Sequence, residues 1–277
     1  MSEIRKYFTS RFRDGYIVEA DYSQLEVYVL AWFTRDAQLI YDLTHGVDVH
    51  AENAKALFGP AFSPAQRRIA KRLSFQLQYG AGYKSMAATQ KIDESIAKKF
   101  IKTYYDRYPE VLKWQNKMQA GVLKNRTPSG KHTAQGYPAG TATVVSPTGR
   151  RYVFTEEDSP AWMAEPTSFK PTNIKNYPIQ GTATGDIVPL MLGKLCRTLQ
   201  GLSLEERKGI LLTNTVHDSV MMDVQHGYLT KAIEIIEEVF GKTSEIVSDT
   251  FGIDFDLKLP IEIKIGRSWG EMKKLKS

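Results

Sequence analysis

The chemistry open to this chain begins with two acids. Asp21 ends the stretch Gly15-Tyr16-Ile17-Val18-Glu19-Ala20-Asp21 and heads the string Asp21-Tyr22-Ser23-Gln24-Leu25-Glu26. An acid where a buried strand gives way to a helix can hold a hard cation, although Asp21 alone reads equally well as the cap of that helix. Asp218 follows His217 between two apolar runs, Ile210–Leu212 and Val220–Val224. That is the pattern of a hairpin with an acid near its tip. By itself the His-Asp pair reads as a surface turn. Joined at one place, the two carboxylates can bind two Mg²⁺ ions about 3.5–4 Å apart. One ion then lowers the pKa of an attacking hydroxyl and the other holds a triphosphate and its leaving pyrophosphate.

A second set lies on one expected helix. Arg67, Lys71, Phe75 and Tyr79 recur at every fourth residue. Each turns only about 40° further round the axis, so all four share one slowly winding face. Arg67 and Lys71 are separated by about 6 Å along the axis, which suits two phosphates of a triphosphate. Phe75 and Tyr79 add flat apolar surfaces for a sugar or a base. Cations near a helix N-terminus oppose its dipole, which favours an anionic partner; a solvated basic face is the plainer account. A third set is Asn176-Tyr177-Pro178-Ile179-Gln180-Gly181-Thr182. Amides at a loop–helix junction can donate to purine N3 and pyrimidine O2, acceptors that every base pair offers in the minor groove. Amides satisfied within a local turn are the alternative.

The elements that must position these residues follow from pattern. Residues 15–21 read as a strand and 22–43 as one helix, with Leu25, Val29, Leu30 and Phe33 apolar. A helix is expected over 49–57. Ser63, Pro64 and Gln66 form a capping box around a first-turn proline, opening a helix that runs to Tyr79 and stops at Gly80. Helical periodicity fills 93–125, broken at Pro109. Residues 126–175, rich in Gly, Pro, Ser and Thr, read as a loop-rich excursion with short strands, Arg151–Phe154 among them. Helices are expected over 181–199, kinked or shifted by Pro189, and over 227–249, with a closing strand at Leu259–Ile265. Strands gather at the two ends and helices in the middle. An α+β layer with an inserted helical subdomain explains that order.

Composition narrows the function classes. Of 277 residues 42% are hydrophobic and 25% charged, which excludes disorder as the main state. No apolar run approaches the roughly 20 residues that span a bilayer, and the opening Met1–Phe8 is no signal peptide. The one cysteine, Cys196, excludes an internal disulfide and a cysteine-rich zinc site and suits a reducing cytosol. A net charge of +6 accords with a polyanionic partner.

Taken together and in this order, the segments resemble family A DNA polymerases, the group of bacterial DNA polymerase I and several phage replicases. Asp21 to Glu26 is similar to that family's motif A. Arg67, Lys71 and Tyr79-Gly80 are similar to motif B in identity and spacing, and His217-Asp218 to motif C. Gly46-Val47-Asp48-Val49-His50, Arg107-Tyr108-Pro109, Gly149-Arg150-Arg151 and Asn176 to Ala183 extend the likeness over nearly the whole chain.

The resemblance implies an antiparallel-sheet palm over 1–30 and 171–277, with a mainly helical fingers subdomain inserted over 31–170. It implies template-directed DNA synthesis by in-line attack of a primer 3′-hydroxyl on the α-phosphorus of a dNTP. Asp21, Asp218 and the Tyr22 backbone carbonyl become ligands of two Mg²⁺ ions, for which Mn²⁺ can substitute. Arg67, Lys71 and His50 contact the triphosphate, with Lys71 also the proton donor to pyrophosphate. Phe75 packs on the sugar and, lacking a hydroxyl, disfavours dideoxynucleotides. Glu26, backed by Tyr79, excludes a ribose 2′-hydroxyl, and Gln24 joins the nucleotide-binding set. Asn176 and Gln180 contact the minor groove of the primer–template, and His217 sits near the primer terminus.

Three residues depart from the family pattern. Ser219 stands where a glutamate is usual after the motif C acid, and Tyr28 and Thr172 stand where arginines are usual. Only twenty residues precede Asp21, so the family's thumb, the first part of its palm and any exonuclease are expected to lie before Met1. The expectation is the C-terminal chain of a split, phage-type polymerase that works with a separate N-terminal chain in a bacterial or phage-infected cytoplasm, with a truncated fragment as the alternative. Two rival functions remain. A single-subunit RNA polymerase shares the two-aspartate palm, but Glu26 and the Lys71–Tyr79 spacing argue against it. A non-catalytic DNA-binding or assembly subunit is suggested by Ser219 and the missing thumb.

Overall fold

The computed structural model describes residues 3–161 and 163–275. The outermost positions of the expected palm segments, 1–2 and 276–277, lie outside the described residues. In chain order the elements are β1 (Tyr16–Tyr22), α1 (Leu25–Thr34), α2 (Ala37–Thr44), α3 (Val49–Phe58), α4 (Pro64–Gln78), α5 (Tyr83–Gln90), α6 (Glu94–Arg107) and α7 (Pro109–Lys124). Next come β2 (Thr127–His132), β3 (Pro138–Val145), β4 (Arg151–Thr155), β5 (Glu157–Asp158), β6 (Thr167–Ser168) and α8 (Pro171–Gln180). A π-helical stretch, Gly181–Ile187, leads into α9 (Val188–Gln200), followed by α10 (Leu204–Gly209), β7 (Ile210–Val216) and β8 (Ser219–Val224). The chain closes with α11 (Leu229–Gly241), α12 (Thr243–Phe251), β9 (Ile261–Gly266) and β10 (Lys273–Lys274). These elements fall into two compact units, residues 1–27 with 182–277 and residues 28–181. The expected palm and fingers divide instead after 30 and after 170.

The first unit is built on an antiparallel sheet of order β10-β9-β1-β8-β7. Val18, Ala20 and Tyr22 of β1 are buried, while Glu19 and Asp21 alternate to the other face. Strand β8 is buried along its whole length. Helix α9 buries Val188, Met191, Leu195 and Leu199 at helical spacing and packs against α11, which buries Ala232, Ile235, Ile236, Val239 and Phe240. Tyr22 ties β1 to this helical layer: its ring lies 5.4 Å from Phe240 and its hydroxyl is 2.6 Å from Thr243 Oγ1.

The second unit is mainly helical. Helix α4 opens with the expected capping box, Ser63 and Gln66 each satisfying the other's backbone N–H, with Pro64 in the first turn. Its end is marked by Gly80 at φ +77°, a conformation that favours glycine. Pro109 separates α6 from α7 and begins the second of them. Asp42, 1% exposed, accepts hydrogen bonds from Arg107, Tyr108 and Gln38 and so fastens α2 to the end of α6. A separate apolar cluster of Val122, Ala142, Tyr152, Phe154, Phe169 and Ile174 joins α7 and α8 to the sheet β2-β3-β4.

Several expectations require correction. The single helix over 22–43 is two, because Arg35 adopts φ +52° and Asp36 caps α2 through Leu39 N–H while its other oxygen takes Glu110 N–H. The excursion over 126–175 does carry short strands, with Arg151–Phe154 inside β4 as expected, but they are joined in a three-stranded sheet, β3 pairing β4 from Thr141↔Thr155 to Val145↔Arg151. Helix 181–199 begins a decade earlier, at Pro171, and Pro189 sits at the head of α9, where a missing N–H costs little. The helix over 227–249 divides at Lys242. Helices α5 and α10 were not expected. Among the described residues no helix is long and apolar enough to cross a membrane.

Candidate active site

In the first unit the two acids are brought together by strand pairing. β1 and β8 run antiparallel with Asp21 opposite Ser219, so Asp218 in the β7–β8 turn lies one residue from Asp21's cross-strand partner. The turn is tight because His217 accepts φ +56° and Ser219 Oγ donates to the Val216 carbonyl at 3.0 Å. Partial burial, then the charge of Asp218, pushes the Asp21 carboxyl up to about 6, while Lys264 opposes the rise. Burial also raises Asp218, offset by a backbone hydrogen bond and by His217. Two like charges held so close, both half-desolvated, favour a proton or a cation between them.

Among the described residues no group of three or more His, Cys, Asp or Glu is arranged to hold a metal ion. The donor set still fits magnesium, which keeps several waters and binds through one or two carboxylates plus substrate phosphates. Past Asp21, Gln24 is exposed at φ +61° and its carbonyl accepts from Val27 N–H, which turns the chain into α1 with Glu26 in the first turn.

In the second unit α4 presents Arg67, Lys71 and Phe75 along one face, with Tyr79, the residue capping its end, continuing the row. The Lys71 ammonium is 5.7 Å from the Phe75 ring centre, and the Phe75 and Tyr79 rings are 6.4 Å apart. His50 of α3 belongs to the same group, its ring 5.8 Å from Phe75. It is 5% exposed, and neither ring nitrogen has a hydrogen-bond partner. Burial, then the Lys71 charge, lowers its pKa to about 4, so the ring is neutral at physiological pH. Arg67 is gripped by Asp48 at 2.6 and 2.8 Å, and the same carboxylate caps α3 through the N–H groups of His50 and Ala51. Asn176 and Gln180 lie one turn apart inside α8, not at a loop–helix junction, with Asn176 Nδ2 donating to Gln180 Oε1 at 3.2 Å. Asn176 Oδ1 is buried without a partner.

The structure thus gathers Asp21 with Asp218, His50 with the α4 face, and Asn176 with Gln180. Sequence reasoning missed Asp48 as the partner of Arg67 and Lys264 as the partner of Asp21. A signal existed for each: Asp48 heads a helix as an N-cap, and Ile261-Glu262-Ile263-Lys264-Ile265 alternates so that Glu262 and Lys264 share the non-apolar face of a strand.

Comparison with known proteins bears on the whole chain. The sequence model of DNA polymerase family A matches residues 1–271. DNA polymerase I of Helicobacter pylori is 27% identical over 272 residues, 98% of this chain and 27% of that protein. The thermostable DNA polymerase I of Thermus filiformis is 30% identical over 277 residues, 98% of this chain and 29% of the relative. The chain therefore spans less than a third of these curated relatives. A solved structure, the POL domain of Pol1 from M. smegmatis in complex with DNA primer–template and dNTP, shares the fold with a TM-score of 0.67 at 23% identity, over 96% of this chain and 42% of that one.

Proposed function

Since this chain belongs to DNA polymerase family A, we propose that it joins deoxynucleotides to the 3′ end of a primer as directed by a DNA template. The observation that carries the reading is the pairing of Asp21 with Ser219, which sets Asp218 beside Asp21 at the end of two buried strands. Asp21, Asp218 and the Tyr22 carbonyl would hold two divalent ions, Mg²⁺ or Mn²⁺. When bound, these supply Lewis-acid activation of the primer hydroxyl and neutralise charge on the triphosphate.

The chain's own residues bind, orient and exclude. Arg67 and Lys71 pair with triphosphate oxygens, Arg67 exchanging some of its contact with Asp48 for phosphate. The neutral His50 offers a ring N–H that no protein group uses. In this reading Phe75 packs on the sugar, Glu26 excludes a ribose 2′-hydroxyl, and Tyr79 and Gln24 belong to the nucleotide-binding set. Asn176 and Gln180 meet minor-groove acceptors, and His217 borders the primer terminus. The primer 3′-hydroxyl releases its proton to solvent water as its oxygen forms the new bond to the α-phosphorus and the bond to pyrophosphate breaks, and Lys71 delivers a proton to the departing pyrophosphate. Positioning and electrostatic complementarity supply the rate enhancement.

The test is single-nucleotide incorporation into a primer–template at micromolar protein with Mg²⁺, followed by gel. The wild-type chain extends the primer by the templated dNTP, and D21N and D218N each reduce that rate by about 10²–10³-fold, the order expected when a charge-stabilising group is removed from a transition state. Incorporation by both variants at the wild-type rate would overturn the proposal.

A further inference from the structure

Lys264 is an ion-pair partner of Asp21. In the register of β1 with β9, Glu19 faces Lys264 and Asp21 faces Glu262, so Asp21 and Lys264 are diagonal neighbours. The Lys264 ammonium lies 3.0 Å from Glu262 Oε1, 3.5 Å from Glu19 Oε2 and 3.9 Å from Asp21 Oδ2. The other two acids have further donors: Lys274 holds Glu262 at 2.7 Å, and the Trp269 indole N–H reaches Glu19 at 3.4 Å.

Resting on the polymerase reading above, we propose that Lys264 is a positioning residue that competes with the divalent cation for the Asp21 carboxylate. One face of the sheet carries Glu19, Asp21 and Glu262 side by side, and Asp218 adds a fourth negative charge next to Asp21. Before an ion arrives, Lys264 offsets this repulsion and keeps Asp21 aimed along its strand. When the ion binds, the ammonium keeps its two shorter contacts, to Glu262 and Glu19, and gives up the longest one, to Asp21. Ion loading of the free protein is weakened, so it depends more heavily on the negative charge that the triphosphate brings.

The test is direct Mn²⁺ binding by loss of the free-ion EPR signal, at low ionic strength and without nucleotide. K264M should bind about fivefold more tightly than the wild type. That is the attraction between unit charges about 4 Å apart at the dielectric constant of water, which the ion no longer has to displace from Asp21. K264R should match the wild type, and the gain should vanish in the D21N background, because the effect acts through Asp21. K264Q, with circular dichroism on each variant, covers the case in which K264M fails to fold. Unchanged or weaker binding by folded K264M and K264Q, with wild-type binding still lost in D21N/D218N, overturns the Lys264 proposal alone. Undiminished Mn²⁺ binding by D21N/D218N overturns the metal reading itself.

Discussion

His50→Gln should flatten the acid sensitivity of the second unit. The native ring is buried beside Lys71 and Arg67, which together with burial lower its pKa to about 4, against 6.5 for the free side chain. An unfolded chain therefore takes a proton on His50 below pH 6.5 that the native chain refuses until about pH 4. The sign follows: the contribution is fully present above pH 6.5 and is lost as pH falls toward 4. Each pH unit in that window costs up to about 1.4 kcal/mol, and the whole window about 3 kcal/mol. Other groups titrate in the same range, so the informative quantity is the wild-type minus H50Q difference in urea unfolding free energy, measured from pH 7.5 to 4.5. It should change by about 1 kcal/mol per pH unit between pH 6 and 4.5. A change below about 0.3 kcal/mol per pH unit would show that His50 is protonated as freely in the native chain as in water, and would refute the buried-neutral account.

Two further outcomes concern the scaffold. Arg107→Met should cost about 3 kcal/mol in chemical denaturation by stranding the buried Asp42 carboxylate, and D42L/R107M should recover most of it, since an apolar pair leaves no stranded charge. Gly181→Ala should lower stability by about 1–3 kcal/mol although its backbone is ordinary helix, because the new methyl would meet Tyr152 Cε1 at 2.7 Å and Cζ at 2.9 Å. Thermal melting should show a smaller loss when Gly181→Ala is made in a Tyr152→Leu background.

What the sequence made legible were features with local causes. The Ser63–Gln66 box, the Pro109 break and the hairpin around His217-Asp218 each depend on residues within a few positions of one another, and each stands where expected. The motif residues of α4 share a face because helical geometry leaves no alternative. What stayed hidden depended on distant partners. Nothing near Arg35 announces a left-handed residue; the break is held by Asp36 bonding to Glu110, 74 positions on. The strand β3 takes its identity from β4 and β2, not from its own run of Ala, Thr and Val. Lys264 meets Asp21 only because β9 lies beside β1, a neighbour relation fixed by topology.

The pairing of Val18 with Met222 and of Ala20 with Val220 has a consequence for the acids at the strand ends. Side chains along a strand alternate, so sliding β1 past β8 by a single residue would drive Asp21 into oil and lift an aliphatic neighbour into water. Because all four aliphatic partners are buried, that slip is forbidden by greasy contacts rather than by the charges themselves. Trimming Met222, fully buried on the opposite face, should therefore weaken Mn²⁺ binding by loosening the alignment on which the carboxylates depend.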